Sequence, residues 1–138
     1  MTSVKRVDPL QAHAQIAADP MAVLLDVRSR VEYDYVGHPI GAVHVPWKEF
    51  PEWRINADFV DAVRSLLRAA GVTEPEERPV YLLCRSGARS RAAGEELVRH
   101  GFRHVYNIEE GFEGDKDPEN HRGTINGWRF RGLPWEQG

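Results

Sequence analysis

Pro79-Val80-Tyr81-Leu82-Leu83-Cys84-Arg85-Ser86-Gly87-Ala88-Arg89-Ser90-Arg91 is the stretch whose reading decides the architecture. Its first five residues form an apolar run of strand length, and Pro79 is tolerated at the first residue of a strand. Ser86-Gly87 breaks the run, and a helix follows to His100, where Gly101 stops it. A strand that ends in a tight turn and feeds a helix is the repeating unit of α/β folds.

The flanking sequence repeats this alternation. Val4–Val7 is a short strand. Asp8 is an N-cap with Pro9 at the first helical position, opening a helix through about Ala18. Ala22–Val27 is a continuous apolar run, the pattern of a strand buried on both faces. Ser29–Tyr35 is a short helix ended by Gly37, and Ala42–Val45 is a strand ended by Pro46. Asn56 or Asp58 caps a helix to Ala70, with Phe59, Val63, Leu66 and Leu67 at helical spacing and Gly71 after it. Glu74–Arg78 is a loop, and Val105–Ile108 is the last strand. Strands alternating with helices predict an α/β fold with a parallel sheet covered on both faces. From Gly111 onward Gly, Asp, Asn and Pro dominate, interrupted by Trp128, Phe130 and Trp135. We read residues 113–138 as a C-terminal extension packed on a single domain of residues 1–138.

Composition narrows the function classes. The 138 residues are 41% hydrophobic and 28% charged, with a formal net charge of -3. That is ordinary for a globular domain and gives no basic field for nucleic acid. The N-terminus has no apolar leader and no apolar run approaches membrane-span length, so a cytoplasmic protein is expected, with no membrane partner. A single cysteine excludes an internal disulfide. His100 and His104 are four apart, but Gly101 ends the helix between them, so no metal site is expected.

Cys84 sits where a parallel sheet places its sites, at the carboxyl end of a strand. Ser86, Gly87 and Ala88 are small enough for the backbone to curl and turn N–H groups inward at a helix N-terminus. The helix end and the nearby Arg85, Arg89 and Arg91 both favour a thiolate and an incoming anion. The expectation is an activated, exposed nucleophile. The bland alternative is a small buried residue that ends a strand; an inert cysteine needs neither the glycine turn nor three arginines.

Cys84-Arg85-Ser86-Gly87-Ala88-Arg89-Ser90 closely resembles the active-site loop of single-domain rhodaneses, the thiosulfate sulfurtransferase family. Leu24-Leu25-Asp26-Val27-Arg28, then Glu32, then Gly37–Pro46 look like the family's upstream motif. That motif usually reads Gly-His-Ile-Pro-Gly-Ala, whereas Pro39 and Ile40 stand here in exchanged order. Glu110-Gly111-Phe112 and Gly127-Trp128 resemble its closing region. The resemblance implies a three-layer fold with a mostly parallel five-stranded sheet and helices on both faces. It also implies a double displacement without a cofactor. Cys84 takes sulfur from thiosulfate as a persulfide and yields it to cyanide or a thiol. No second cysteine can resolve that persulfide, so the acceptor comes from outside. Arg directly after the cysteine resembles thiosulfate-using loops, which makes Arg85 and Arg89 the candidate donor anchors, within a binding loop of Arg85, Ser86, Gly87, Ala88, Arg89 and Ser90.

Asp26 and Arg28 are supporting residues. Asp26 needs a buried partner in the backbone or an arginine near the loop, and Arg28 is expected to pair with Glu32 across one helical turn. His38 and His44 are expected to fix the upstream loop by hydrogen bonds. Other readings are a sulfur relay to a partner protein in cofactor or tRNA thiolation, and a cysteine-based phosphatase or arsenate reductase. The latter two place one residue more between Cys and Arg than the four, Arg85 to Ala88, that separate Cys84 from Arg89. Monomer and homodimer are both open: an exposed Trp128 or Trp135 would serve the latter, but packing on their own domain is the commoner role of such aromatics.

Overall fold

The local rules written into the sequence are visible at several elements of the computed structural model, which describes residues 2–138. Along the chain run β1 (Lys5–Val7), α1 (Pro9–Ala18), β2 (Val23–Asp26), a π-helical turn (Glu32–Val36), β3 (His38–Pro39), β4 (Val43–His44), β5 (Lys48–Glu49), β6 (Arg54–Ile55) and α2 (Phe59–Ala69). A 3-10 turn (Pro75–Glu77), β7 (Pro79–Leu83), α3 (Ala88–Arg99), β8 (His104–Ile108) and β9 (Trp135–Glu136) follow. Helix α1 begins in a capping box: Asp8 accepts from the Gln11 N–H at 2.8 Å, and the Gln11 side chain accepts from the Asp8 N–H at 2.9 Å. Helices α2 and α3 end alike. Val72 donates back to the Leu67 carbonyl and Phe102 to the Leu97 carbonyl, over Gly71 and Gly101 respectively.

The main sheet has the order β1-β8-β7-β2-β4, and every pairing in it is parallel. Alternation along the strands divides the core in two. Leu25, Val80, Leu82 and Val105 face one side, where Phe59, Val63, Leu67, Ala93 and Leu97 of α2 and α3 cover them. Leu24, Tyr81, Leu83 and Ile108 face the other side, covered by Ala12 of α1 and by Phe112, Trp128 and Leu133. This is the expected α/β architecture with both faces buried.

Trp128 is 1% exposed and its indole N–H donates to the Pro134 carbonyl at 2.9 Å. Burial packs it on its own domain and removes it as an oligomer contact; Trp135 is 39% exposed and meets Phe112 edge-on. The chain then returns as β9, antiparallel to β3. This pairing and the β5–β6 hairpin have no signal in the hydrophobic periodicity. Among the described residues no helix is long and apolar enough to cross a membrane.

Candidate active site

Strand β7 delivers Cys84 to the carboxyl end of the sheet centre, and α3 starts four residues later. The link is made by Gly87, whose φ of +115° is the left-handed region that a side chain rarely adopts. The turn points the Gly87 N–H at Cys84 Sγ, 3.1 Å away, so the sulfur accepts a backbone hydrogen bond at the N-terminus of a twelve-residue helix with no acidic residue in its first turn. The Ser90 hydroxyl lies 3.3 Å from the same sulfur. The Gly87 carbonyl and Asn107 Oδ1 also lie within hydrogen-bond distance of that hydroxyl, so its single proton has three alternative acceptors, and the Asn107 amide donates to Gly87 and to Glu109.

The loop is fixed from behind. The Cys84 carbonyl accepts from Phe112 N–H at 2.8 Å, and the Arg85 carbonyl from Glu113 N–H at 3.0 Å. Approach is so close at Gly111 that a Cβ there would stand 2.5 Å from the Cys84 carbonyl oxygen. Gly111, from a second segment, thus joins Ser86, Gly87 and Ala88 in giving the loop room to curl.

Cys84 is 1% exposed, against the expectation of an exposed nucleophile. The reason is the arch of residues 85–88, which walls the sulfur in and leaves it at the floor of a cavity. That cavity holds about 310 Å3 and is lined by Lys48, Trp53, Cys84, Arg85, Ser86, Ala88 and Arg89. Gly87 and Ser90 lie buried beneath it. Arg91 does not reach it and borders Val4 and Glu95 instead. Two residues beyond Arg89 are about 200° around a helix of 3.6 residues per turn.

Arg89 lines the cavity but is bound to Glu32 through both terminal nitrogens, at 2.7 and 2.8 Å. Glu32 also accepts from the Ser29 hydroxyl at 2.8 Å. Burial works to raise the Glu32 carboxyl, but the Arg89 hydrogen bonds and charge, with the Ser29 contacts, outweigh it and hold it at about 2. Burial likewise works to lower the Arg89 guanidinium, and Glu32 chiefly reverses that, so it is raised. A carboxyl depressed in the folded state contributes stability above its unfolded value that is lost as pH falls through the folded one. The melting temperature advantage of the parent over Glu32→Gln is therefore expected to shrink between about pH 4.5 and about pH 2. An advantage constant over that window would show that the pair carries no net charge coupling.

The expected Arg28–Glu32 pair is not formed. Arg28 precedes the helical turn, so helical i,i+4 spacing does not apply to it. Its guanidinium turns inward, pairs with Asp26 at 2.6 Å and donates to the Gly37 carbonyl at 2.6 Å, and both side chains are fully buried. This joins the end of β2 to the upstream loop. His38 and His44 stack on either side of Tyr33, with ring centroids 3.8 and 4.4 Å away. His38 Nδ1 lies 3.0 Å from the Tyr33 carbonyl, and His44 Nε2 lies 2.7 Å from that of Arg28. Sequence reasoning missed Lys48, Trp53 and Asn107. The only sequence trace of the first two is the aromatic, Pro-containing run Trp47–Trp53 between two assigned elements.

Comparison with known proteins gives the same fold. The chain is 37% identical to the protein in the crystal structure of Rv0390 from M. tuberculosis, with a TM-score of 0.84 over 99% of this chain and 100% of that one. It is 32% identical to an uncharacterised protein of Rickettsia conorii over 97% of this chain and 98% of that protein. It is 35% identical to the thiosulfate sulfurtransferase GlpE of Pseudomonas fluorescens over 82% of this chain and 85% of the other. The profile of the Rhodanese-like domain matches residues 8–117, from the cap of α1 through the loop of Cys84 to the turn that pins it. By this match, and by the parallel sheet that delivers Cys84 to a helix N-terminus, the chain belongs to the Rhodanese-like domain family.

Proposed function

We propose that the chain is a sulfurtransferase that takes sulfane sulfur from thiosulfate and carries it on Cys84. The observation that carries this reading is the position of Sγ: at the floor of a cavity, under the Gly87 N–H, with Arg85 and Lys48 at the rim. The Cys84 thiolate attacks the outer sulfur of thiosulfate. The sulfur–sulfur bond breaks, and sulfite leaves with the electron pair. The new persulfide anion takes over the helix N-terminus that held the thiolate. An acceptor thiolate or cyanide then attacks the outer sulfur and returns the electron pair to Sγ. Four residues between Cys84 and Arg89 make a cradle smaller than the phosphatase kind, which favours sulfur over a phosphoryl group.

The test is sulfite release from thiosulfate with cyanide as acceptor. Arg85 is exposed at the rim, so its charge acts on binding. Arg85→Ala is expected to raise KM for thiosulfate roughly 10–100-fold, the scale of a hydrogen bond to a charged group. An unchanged KM removes Arg85 from donor binding. A folded parent chain that releases no sulfite overturns thiosulfate as donor.

A further inference from the structure

Lys48 and Trp53 belong to no motif that resembles a known loop, yet both wall the cavity over Cys84. They come from the β5–β6 hairpin, whose strands pair Lys48 with Ile55 and Glu49 with Arg54. The hairpin sorts its charges. Glu49 and Glu52 line a separate groove with Arg54, and Glu49 accepts the Arg30 N–H at 2.8 Å. Lys48 faces the cavity of Cys84 instead. Of the two arginines there, Arg89 is neutralised by Glu32, and its guanidinium carbon lies over the Trp53 ring, 5.3 Å from the centroid. Among the described residues neither Lys48 nor Arg85 is ion-paired.

Trp53 has a φ of +58°, rare for a bulky residue and costly unless its surroundings enforce it. Its N–H donates to the Glu49 carbonyl at 2.8 Å, and its ring meets Phe50 edge-on at 5.8 Å. With Arg89 on its ring and Phe50 at its edge, Trp53 is still 42% exposed, so aromatic surface is left open at the cavity mouth. At about 310 Å3 the cavity reaches the lower end of the roughly 300–1,000 Å3 range of sites for small organic molecules. An inorganic sulfur oxyanion would leave most of it to water.

We propose that Lys48, Arg85 and Trp53 form a specificity subsite for the sulfur acceptor, and that this acceptor is an organic thiol bearing carboxylates. The assignment rests on the persulfide reading of Cys84. The carboxylates meet the two unpaired cations, and the organic body lies on the open Trp53 surface. The acceptor thiolate forms a bond to the outer sulfur of the persulfide, the bond between that sulfur and Sγ breaks, and the electron pair returns to Cys84. The product is an organic persulfide, and no external oxidant or reductant is needed.

The full chain is loaded with thiosulfate or inorganic polysulfide, and the extra sulfur on Cys84 is followed by intact mass spectrometry. Discharge is compared for mercaptosuccinate and 2-mercaptoethanol at equal, subsaturating thiolate concentration. The parent is expected to favour mercaptosuccinate about tenfold or more. Lys48→Ala and Trp53→Ala are each expected to cut that ratio severalfold, whereas Arg54→Ala, on the same hairpin but facing the other groove, keeps it. No preference in the parent, or a ratio unmoved by either cavity variant, overturns the subsite. So does discharge by a persulfide-accepting protein alone. If neither donor loads Cys84, the persulfide reading itself falls. The subsite is then judged by calorimetric binding of mercaptosuccinate to the Cys84→Ser chain, expected to weaken about tenfold with Lys48→Ala and refuted by no binding.

Discussion

Replacing Cys84 by serine is expected to abolish sulfur loading while leaving the fold in place. After thiosulfate treatment the parent chain gains one sulfur atom and Cys84→Ser gains none. Addition of cyanide returns the parent to its starting mass. The serine hydroxyl can still accept the Gly87 N–H that now reaches Sγ, and the side chain is nearly the same size at a position only 1% exposed, so packing changes little. What is lost is chemical: a hydroxyl is far harder to ionise than a thiol and forms no persulfide. Turnover is expected to fall by on the order of 10³-fold or more, as nucleophile removal does in other enzymes. Retained loading in Cys84→Ser would end the mechanism, since no other cysteine exists in the chain.

Arg28→Ala is expected to give the largest loss of stability. The guanidinium is fully buried, bonds both Asp26 carboxylate oxygens, donates to Gly37 and lies 4.4 Å from the Phe112 ring centroid. Its removal leaves the Asp26 carboxylate, also fully buried, without its cation. Breaking one partner of such a pair costs about 3–5 kcal/mol, mostly as the penalty of the stranded charge. Each kcal/mol corresponds to roughly 4 °C in a domain of this size, so thermal unfolding should come on the order of 10–20 °C lower. The double variant Asp26→Leu/Arg28→Met is expected to regain much of the loss, because it strands no charge. A double variant as unstable as the single one would assign the cost to lost shape and not to the buried carboxylate.

Much of this molecule is local in origin. Asp8 and Pro9 start α1 where a cap and a fixed φ should start it, and Gly71 and Gly101 stop two helices. The apolar run Pro79–Leu83 is a central strand because each of its faces meets a buried layer. The small residues after Cys84 make the turn at which Gly87 adopts positive φ. Such features are legible because they depend on neighbours a few positions away.

The departures share another cause. Glu32 pairs with Arg89, 57 positions along the chain, and not with the nearby Arg28. Arg89 faces the cavity and Arg91 does not, which depends on the phase of α3 against the sheet. The sequence alone determined a parallel α/β fold, a cysteine at a strand end and a glycine turn into a helix. Tertiary structure alone decided that the sulfur is buried beneath the loop, that Arg89 is taken up by Glu32, and that a hairpin brings Lys48 and Trp53 over Cys84. Periodicity and capping record what a residue does to its own segment. The partner of a charge, and the wall of a cavity, are set by which segments the closed core presses together.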